Sequence, residues 1–140
     1  MASSIPRRGR KAVTDALAAK SLKVAFFVNV TNYDPLAATN TYASLKAGGA
    51  TEVSNAGTGY TTGGYTLAGM ASANLATNGA ILTANPTVVA NATFTCSYAV
   101  IYDGVTGNLE GIVDLGGAKT VTNGTITVTW DIVAGIFNVQ

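Results

Sequence analysis

The rhythm of apolar and polar positions changes near residue 22. Before it, Ala12, Ala16, Ala18 and Ala19 favour helix, and Val13 and Leu17 stand one turn apart, so the spacing predicts a short helix over residues 11–21. Residues 22–30 are dense in Val and Phe and predict a buried strand, ended by Asn32, Tyr33, Asp34 and Pro35. One helical turn is expected at 41–46, closed by Gly48 and Gly49. From residue 51, short strand-like runs alternate with turn residues: 52–53, 65–70, 80–82 and 87–89. The longest run is 93–102, where Phe94, Cys96, Tyr98, Val100 and Tyr102 share one face. Residues 103–108 are expected to reverse the chain into a strand over 109–115. Gly116-Gly117 and Asn123-Gly124 punctuate what is expected to be the next reversal. Residues 125–131 alternate, with Ile126, Val128 and Trp130 inward, and 136–139 supply a last strand. The predicted core is Phe94, Cys96, Val100, Ile126, Val128 and Trp130.

Short strands at this spacing predict a mainly β fold: a single antiparallel β-sandwich or jelly-roll-like barrel with a short N-terminal helix or arm. The domain reading is an arm over residues 1–21 and a β domain over 22–140. With 140 residues, 48% of them hydrophobic, the chain has enough apolar material for one core. Only 11% are charged, less than half the usual share. Such a surface takes its polarity from Thr, Asn, Ser and Gly, or is covered by partners. The absence of His and the single Cys96 argue against zinc sites, His-based triads and disulfide frameworks. Cys96 reads as a buried thiol. No secretory h-region or membrane-length apolar run is found, so synthesis in a reducing cytoplasm is expected. The Asn-x-Thr triplets at Asn29, Asn91 and Asn123 then read as by-products of composition.

The net charge of +1 hides an asymmetry. Arg7, Arg8, Arg10, Lys11, Lys20 and Lys23 face only Asp15 in the first 23 residues, whereas acids outnumber cations in the rest. A basic arm on a faintly acidic body suggests a partner for the arm, beside the plainer reading of a solvated, flexible terminus. An acidic protein surface is favoured over nucleic acid, since no aromatic residue precedes Phe26 to stack on bases. The arm is expected to attach the protein to neighbours and to contribute little to folding.

Candidate chemistry is sparse. Gly57, Gly59, Gly63 and Gly64 invite a phosphate-loop reading, but no Lys follows and Thr62 stands where the third fingerprint glycine belongs. Asp103, Glu110 and Asp114 could supply a carboxylate pair or a calcium site, yet nothing in the spacing sets their acidities apart. They read as solvated turn carboxylates. Tyr60 and Tyr65, flanked by glycines, are the candidate interface aromatics. No catalytic residue, metal ligand or cofactor is assigned. The interface candidates are Arg7, Arg8, Arg10, Lys11, Tyr60 and Tyr65.

The ordered strings Glu52-Val-Ser-Asn-Ala-Gly-Thr-Gly-Tyr-Thr-Thr-Gly-Gly64, Tyr98-Ala-Val-Ile-Tyr-Asp103, Gly111-Ile-Val-Asp-Leu-Gly-Gly117, Val121-Thr-Asn-Gly-Thr-Ile-Thr-Val-Thr-Trp130 and Gly135-Ile-Phe137 resemble a group of small β-rich virion structural proteins of tailed bacteriophages. The likeness extends over residues 22–139 and includes the opening lysine-containing apolar strand, 23–28. It departs at Asn55-Ala56, where one glycine is usual, and at the basic arm. The resemblance implies a virion component without catalytic residues, most of all a capsid decoration (cement) protein bridging capsid subunits. A tail, neck or host-binding fibre component is the alternative. The partners so implied are the major capsid protein or other virion subunits, with homo-oligomers on the particle and no membrane; nucleic acid is disfavoured.

Overall fold

The computed structural model describes residues 7–31, 33–34, 37, 40–75, 79–130 and 136–139. The fold is mainly β, with antiparallel sheets and a short N-terminal helix; the sheets do not close into a barrel. The chain forms two compact units. One holds residues 1–21, 67–87 and 128–140; the other holds 22–66 and 88–127. The boundary expected after residue 21 is therefore one of several crossings, and the first unit is more than an arm.

The first unit contains helix α1 (Arg7–Ala18), which starts four residues earlier than the periodicity predicts. It also contains strands β4 (Ala71–Asn74), β5 (Ala80–Thr83) and β8 (Phe137–Val139), in the order β4-β5-β8. Helix α1 packs against all three strands. It does so through a face that the apolar pattern does not reveal. Thr14 is wholly buried, its hydroxyl 2.7 Å from that of Ser72, and Arg10 is buried too, whereas Val13 is exposed and Leu17 only half-buried. Thr14 also donates to the Lys11 carbonyl (3.0 Å), so its hydroxyl is satisfied without water. Trp130 is buried, as expected.

The second unit is built on β1 (Leu22–Asn29). A sheet runs β2 (Thr51–Glu52), β1, β6 (Thr87–Asp103), β7 (Leu109–Val128), with β3 (Tyr65–Thr66) also pairing β1. Antiparallel pairing sets Ala25 opposite Val100, Phe26 opposite Ala99 and Phe27 opposite Tyr98. Being central, β1 is buried on both faces, which explains its unbroken apolar run. On one face Ala25, Phe27, Val100 and Tyr102 cluster with Leu45 of helix α2 (Tyr42–Ala47) and with Ala50. Helix α2 begins with a capping box: Thr41 accepts from the Ser44 N–H and the Ser44 hydroxyl accepts from the Thr41 N–H.

Two expectations fail along the β6–β7 ribbon. The runs 87–89 and 93–102 are one strand, and its inward phase steps twice. Thr87 and Val89 are buried, then Ala92, Phe94 and Cys96, then Ala99 and Ile101. The first step falls at Asn91, whose φ of 53° marks an irregularity in the strand. Phe94 and Val100 therefore belong to different clusters, Phe94 stacking on Phe26 at 6.1 Å. Secondly, Gly116-Gly117 and Asn123-Gly124 do not reverse the chain; β7 runs through both. Its contact with β6 persists there, because Thr95 and Thr120 share a hydroxyl hydrogen bond (2.8 Å) and Thr93 accepts from the Asn123 N–H (2.9 Å). Positive φ at Gly116, Gly117 and Asn123 is absorbed as local irregularity within the strand. Ile126 and Val128, expected in the core, are only half-buried.

Candidate functional site

The densest polar cluster centres on Glu52, at the end of β2, whose side chain is only 4% exposed. Four donors converge on its carboxylate. Oε1 accepts from the Tyr60 hydroxyl (2.8 Å) and the Gly63 N–H (2.7 Å), while Oε2 accepts from the Tyr42 hydroxyl and from Lys46 Nζ (2.8 Å). Tyr60 in turn accepts from the Phe26 N–H (3.1 Å), and Tyr102 donates to the Gly63 carbonyl (2.6 Å). Tyr42 stacks on Tyr102 at 4.6 Å, and Lys46 lies over the Tyr42 ring. Helix α2, the glycine loop and two sheet strands thus meet at one carboxylate.

The electrostatics follow from this arrangement. Burial alone would raise the Glu52 pKa, but Lys46, Tyr42, the Gly63 N–H and Tyr60 outweigh it and hold the carboxyl below its ordinary range. Burial, reinforced by the Glu52 carboxylate, pushes the Tyr60 and Tyr42 phenols well above theirs. Every partner is fixed in its hydrogen-bonding role. The cluster is a fastening for the backbone.

The glycines around it are required by space. Gly64 has φ +70°, and a Cβ there would collide with the Val24 carbonyl; at Gly59, φ +73°, a Cβ would collide with the Asn91 carbonyl. The loop therefore lies against the sheet as bare backbone, which is why a phosphate-loop-like composition carries no phosphate-loop geometry.

The expected interface residues separate. Tyr60, read from sequence as an interface aromatic, is buried, packing near Phe26 and Phe94 at 6.1 and 5.8 Å. A glycine-flanked Tyr looks exposed in sequence; here the glycines let its own sheet cover it. Tyr65 is half-buried against Tyr60, its hydroxyl accepting from the Thr61 N–H (3.3 Å). Among the cations, Arg8 is exposed, Lys11 is half-exposed, and Arg10 is buried instead of facing outward. Arg7 opens α1, but its side chain lies outside the described residues. Arg8, Lys11, Ala12, Asp15 and Asn74 line an open groove of about 530 Å³. Within it Lys11 bonds Asp15 (2.6 Å), and hydrogen bonds from Lys11 and Ser72 lower the Asp15 pKa.

Only one of the three acids expected as solvated turn carboxylates lies at a turn, and it is buried; Glu110 and Asp114 lie within β7. Asp103 is buried and accepts from the Val105 N–H (2.9 Å) and the Thr106 hydroxyl (3.0 Å), closing the β6–β7 turn. Asp114 accepts from the Gly116 N–H (2.8 Å). Cys96 is buried, and burial raises its pKa, the opposite of an activated thiol. Among the described residues no group of three or more His, Cys, Asp or Glu side chains could hold a metal ion, and no helix is long and apolar enough to cross a membrane.

Sequence reasoning missed two features. Glu52 was signalled only as a lone acid between an apolar strand and a Tyr/Gly loop. The other is β7, the last strand in its sheet's order: none of its 20 residues is buried, and only Glu110, Asp114 and Lys119 are charged. No protein-family model, curated protein or solved structure matches this chain.

Proposed function

We propose that this chain is a non-enzymatic structural component of a tailed-phage virion, a capsid decoration protein that bridges capsid subunits. The observation that carries the reading is β7. A strand of 20 residues without one buried side chain, and with three charges, lies at the edge of its sheet. Soluble monomers guard such edges with charge, proline or cover. Here Thr120, Thr122, Thr125 and Thr127 are exposed and uncharged, so the edge can be dried against a partner at little desolvation cost. The Glu52 cluster supports the same reading, because its polar groups hold the loop to the sheet. Many equivalent contacts on a lattice would make weak edge contacts collectively strong. The sequence resemblance to small virion proteins points the same way.

The test is co-sedimentation of the purified protein with particles that lack it. Saturable binding to heads is expected; binding to tails alone would move the protein to the alternative position, and binding to neither would refute the reading.

A further inference from the structure

We propose that the groove α1 forms with the end of β4 binds an acidic, extended segment of a partner protein, its carboxylates on Arg8 and Lys11 and its main chain on Asp15 and Asn74. This surface belongs to the first unit, and its chemistry is independent of any role in a virion.

Arg8, Lys11 and Asp15 follow one another at intervals of three and four residues, which sets them on one face of α1. All three line the groove of about 530 Å³, together with Asn74 of β4. Burial narrows the choice among the cations, since Arg10 is buried while Arg8 is exposed and Lys11 half-exposed. Among the described residues no acid is paired with Arg8, and Lys11 uses one bond on Asp15 (2.6 Å), which leaves its ammonium room for further acceptors. The placement of these charges favours an anion. Arg7, Arg8, Arg10 and Lys11 crowd the start of α1, with no acid in its first turn and no cation in its last. The helix dipole favours the reverse arrangement, so α1 is stabilised when negative charge is brought to this face.

Asp15 and Asn74 decide the class of occupant. A nucleic-acid backbone offers phosphate acceptors, and Asp15 within the groove would repel them. No aromatic side chain among the described residues lines the groove for a base to stack on. A peptide brings acidic side chains and N–H donors together. Arg8 can take a carboxylate in its planar fork, Asp15 can accept a main-chain N–H, and the Asn74 amide, both donor and acceptor, matches a peptide group.

The probe is a short labelled peptide of alternating Glu and Ser, titrated into the full chain at low ionic strength. Fluorescence anisotropy gives the affinity, and amide NMR shifts give the location. Saturable binding is expected, with shifts confined to α1 and β4. Arg8→Glu or Lys11→Glu should weaken it about tenfold. Asp15→Asn keeps an acceptor but removes the acid that competes for Lys11, so it should tighten binding about threefold. Damaged folding cannot imitate that gain. No binding, equal binding of the peptide with Gln in place of Glu, or an Asp15→Asn variant no tighter than the parent overturns the proposal. So does an equal loss from Lys119→Glu, which removes an exposed cation from the other unit and would mean diffuse attraction. Tighter binding of single-stranded oligothymidylate of the same charge also overturns it, and would make the groove a nucleic-acid track. None of these readouts involves particles, so the virion reading is tested separately.

Discussion

A carboxylate withdrawn from water must be matched by donors or it takes up a proton. Glu52 is matched by four, from α2 and from the loop after β2, so its charge stabilises the native state. Glu52→Gln should cost about 3 kcal/mol, because the amide turns a donor toward groups that are themselves donors; a melting temperature lower by about 10 °C would register it. The pH dependence follows in sign. Since the folded pKa lies below the ordinary 4.5, the Glu52 contribution is complete above pH 4.5 and is lost as pH falls through the lower folded value. Urea midpoints measured from pH 6 to pH 2 should therefore decline less steeply in Glu52→Gln than in the parent; parallel curves would contradict the assignment. The glycines offer a second contrast. Gly64→Ala meets the Val24 carbonyl and should cost well over 1 kcal/mol, whereas Gly57→Ala, with the same φ but open space, should cost only about 1 kcal/mol. Equal losses in urea unfolding would mean that the loop does not lie on β1 as described.

At the scale of elements, local pattern was informative where one partner decides burial and misleading where the strand bends. The run 22–29 was legible because β1 is central and covered on both faces. Helix α2 and the 103–108 turn were legible because their signals, Thr41 and Asp103, act locally. The phase of β6 was not, because Asn91 at positive φ and the step after Cys96 each shift which side chains face inward. The pairs Gly116-Gly117 and Asn123-Gly124 in β7 misled for a related reason. They permit a turn, but the hydroxyl contacts of Thr93 and Thr95 keep the strand on β6. Helix α1 shows the limit of an apolar stripe: it docks through Thr14 and Arg10 while Val13 faces solvent. Removal of residues 1–20 is therefore expected to expose β4, β5 and β8, which α1 packs against. Hydrogen exchange should speed up in β4 and β5 and remain slow in β1. Unchanged protection in β5 would show that the helix is dispensable to its unit, as the charge pattern alone had suggested.

For the whole molecule, the composition has a structural rationale. With 11% charged residues, the chain has little charge to place at random. The buried acids Glu52 and Asp103 close loops against their sheet, and Asp114 and Lys119 flank the glycine pair of the exposed strand. The candidate site was half legible: the glycine–tyrosine string stood out, but its role depended on a carboxylate partner that only the fold brings to it. On the proposed reading, one such protein binds at each of many equivalent positions on a shell. Its copy number in purified virions, measured by quantitative mass spectrometry against the major capsid protein, tests this most directly. The account predicts an amount comparable to that of the capsid protein; a trace amount set by a single vertex or tail, or none, would contradict it.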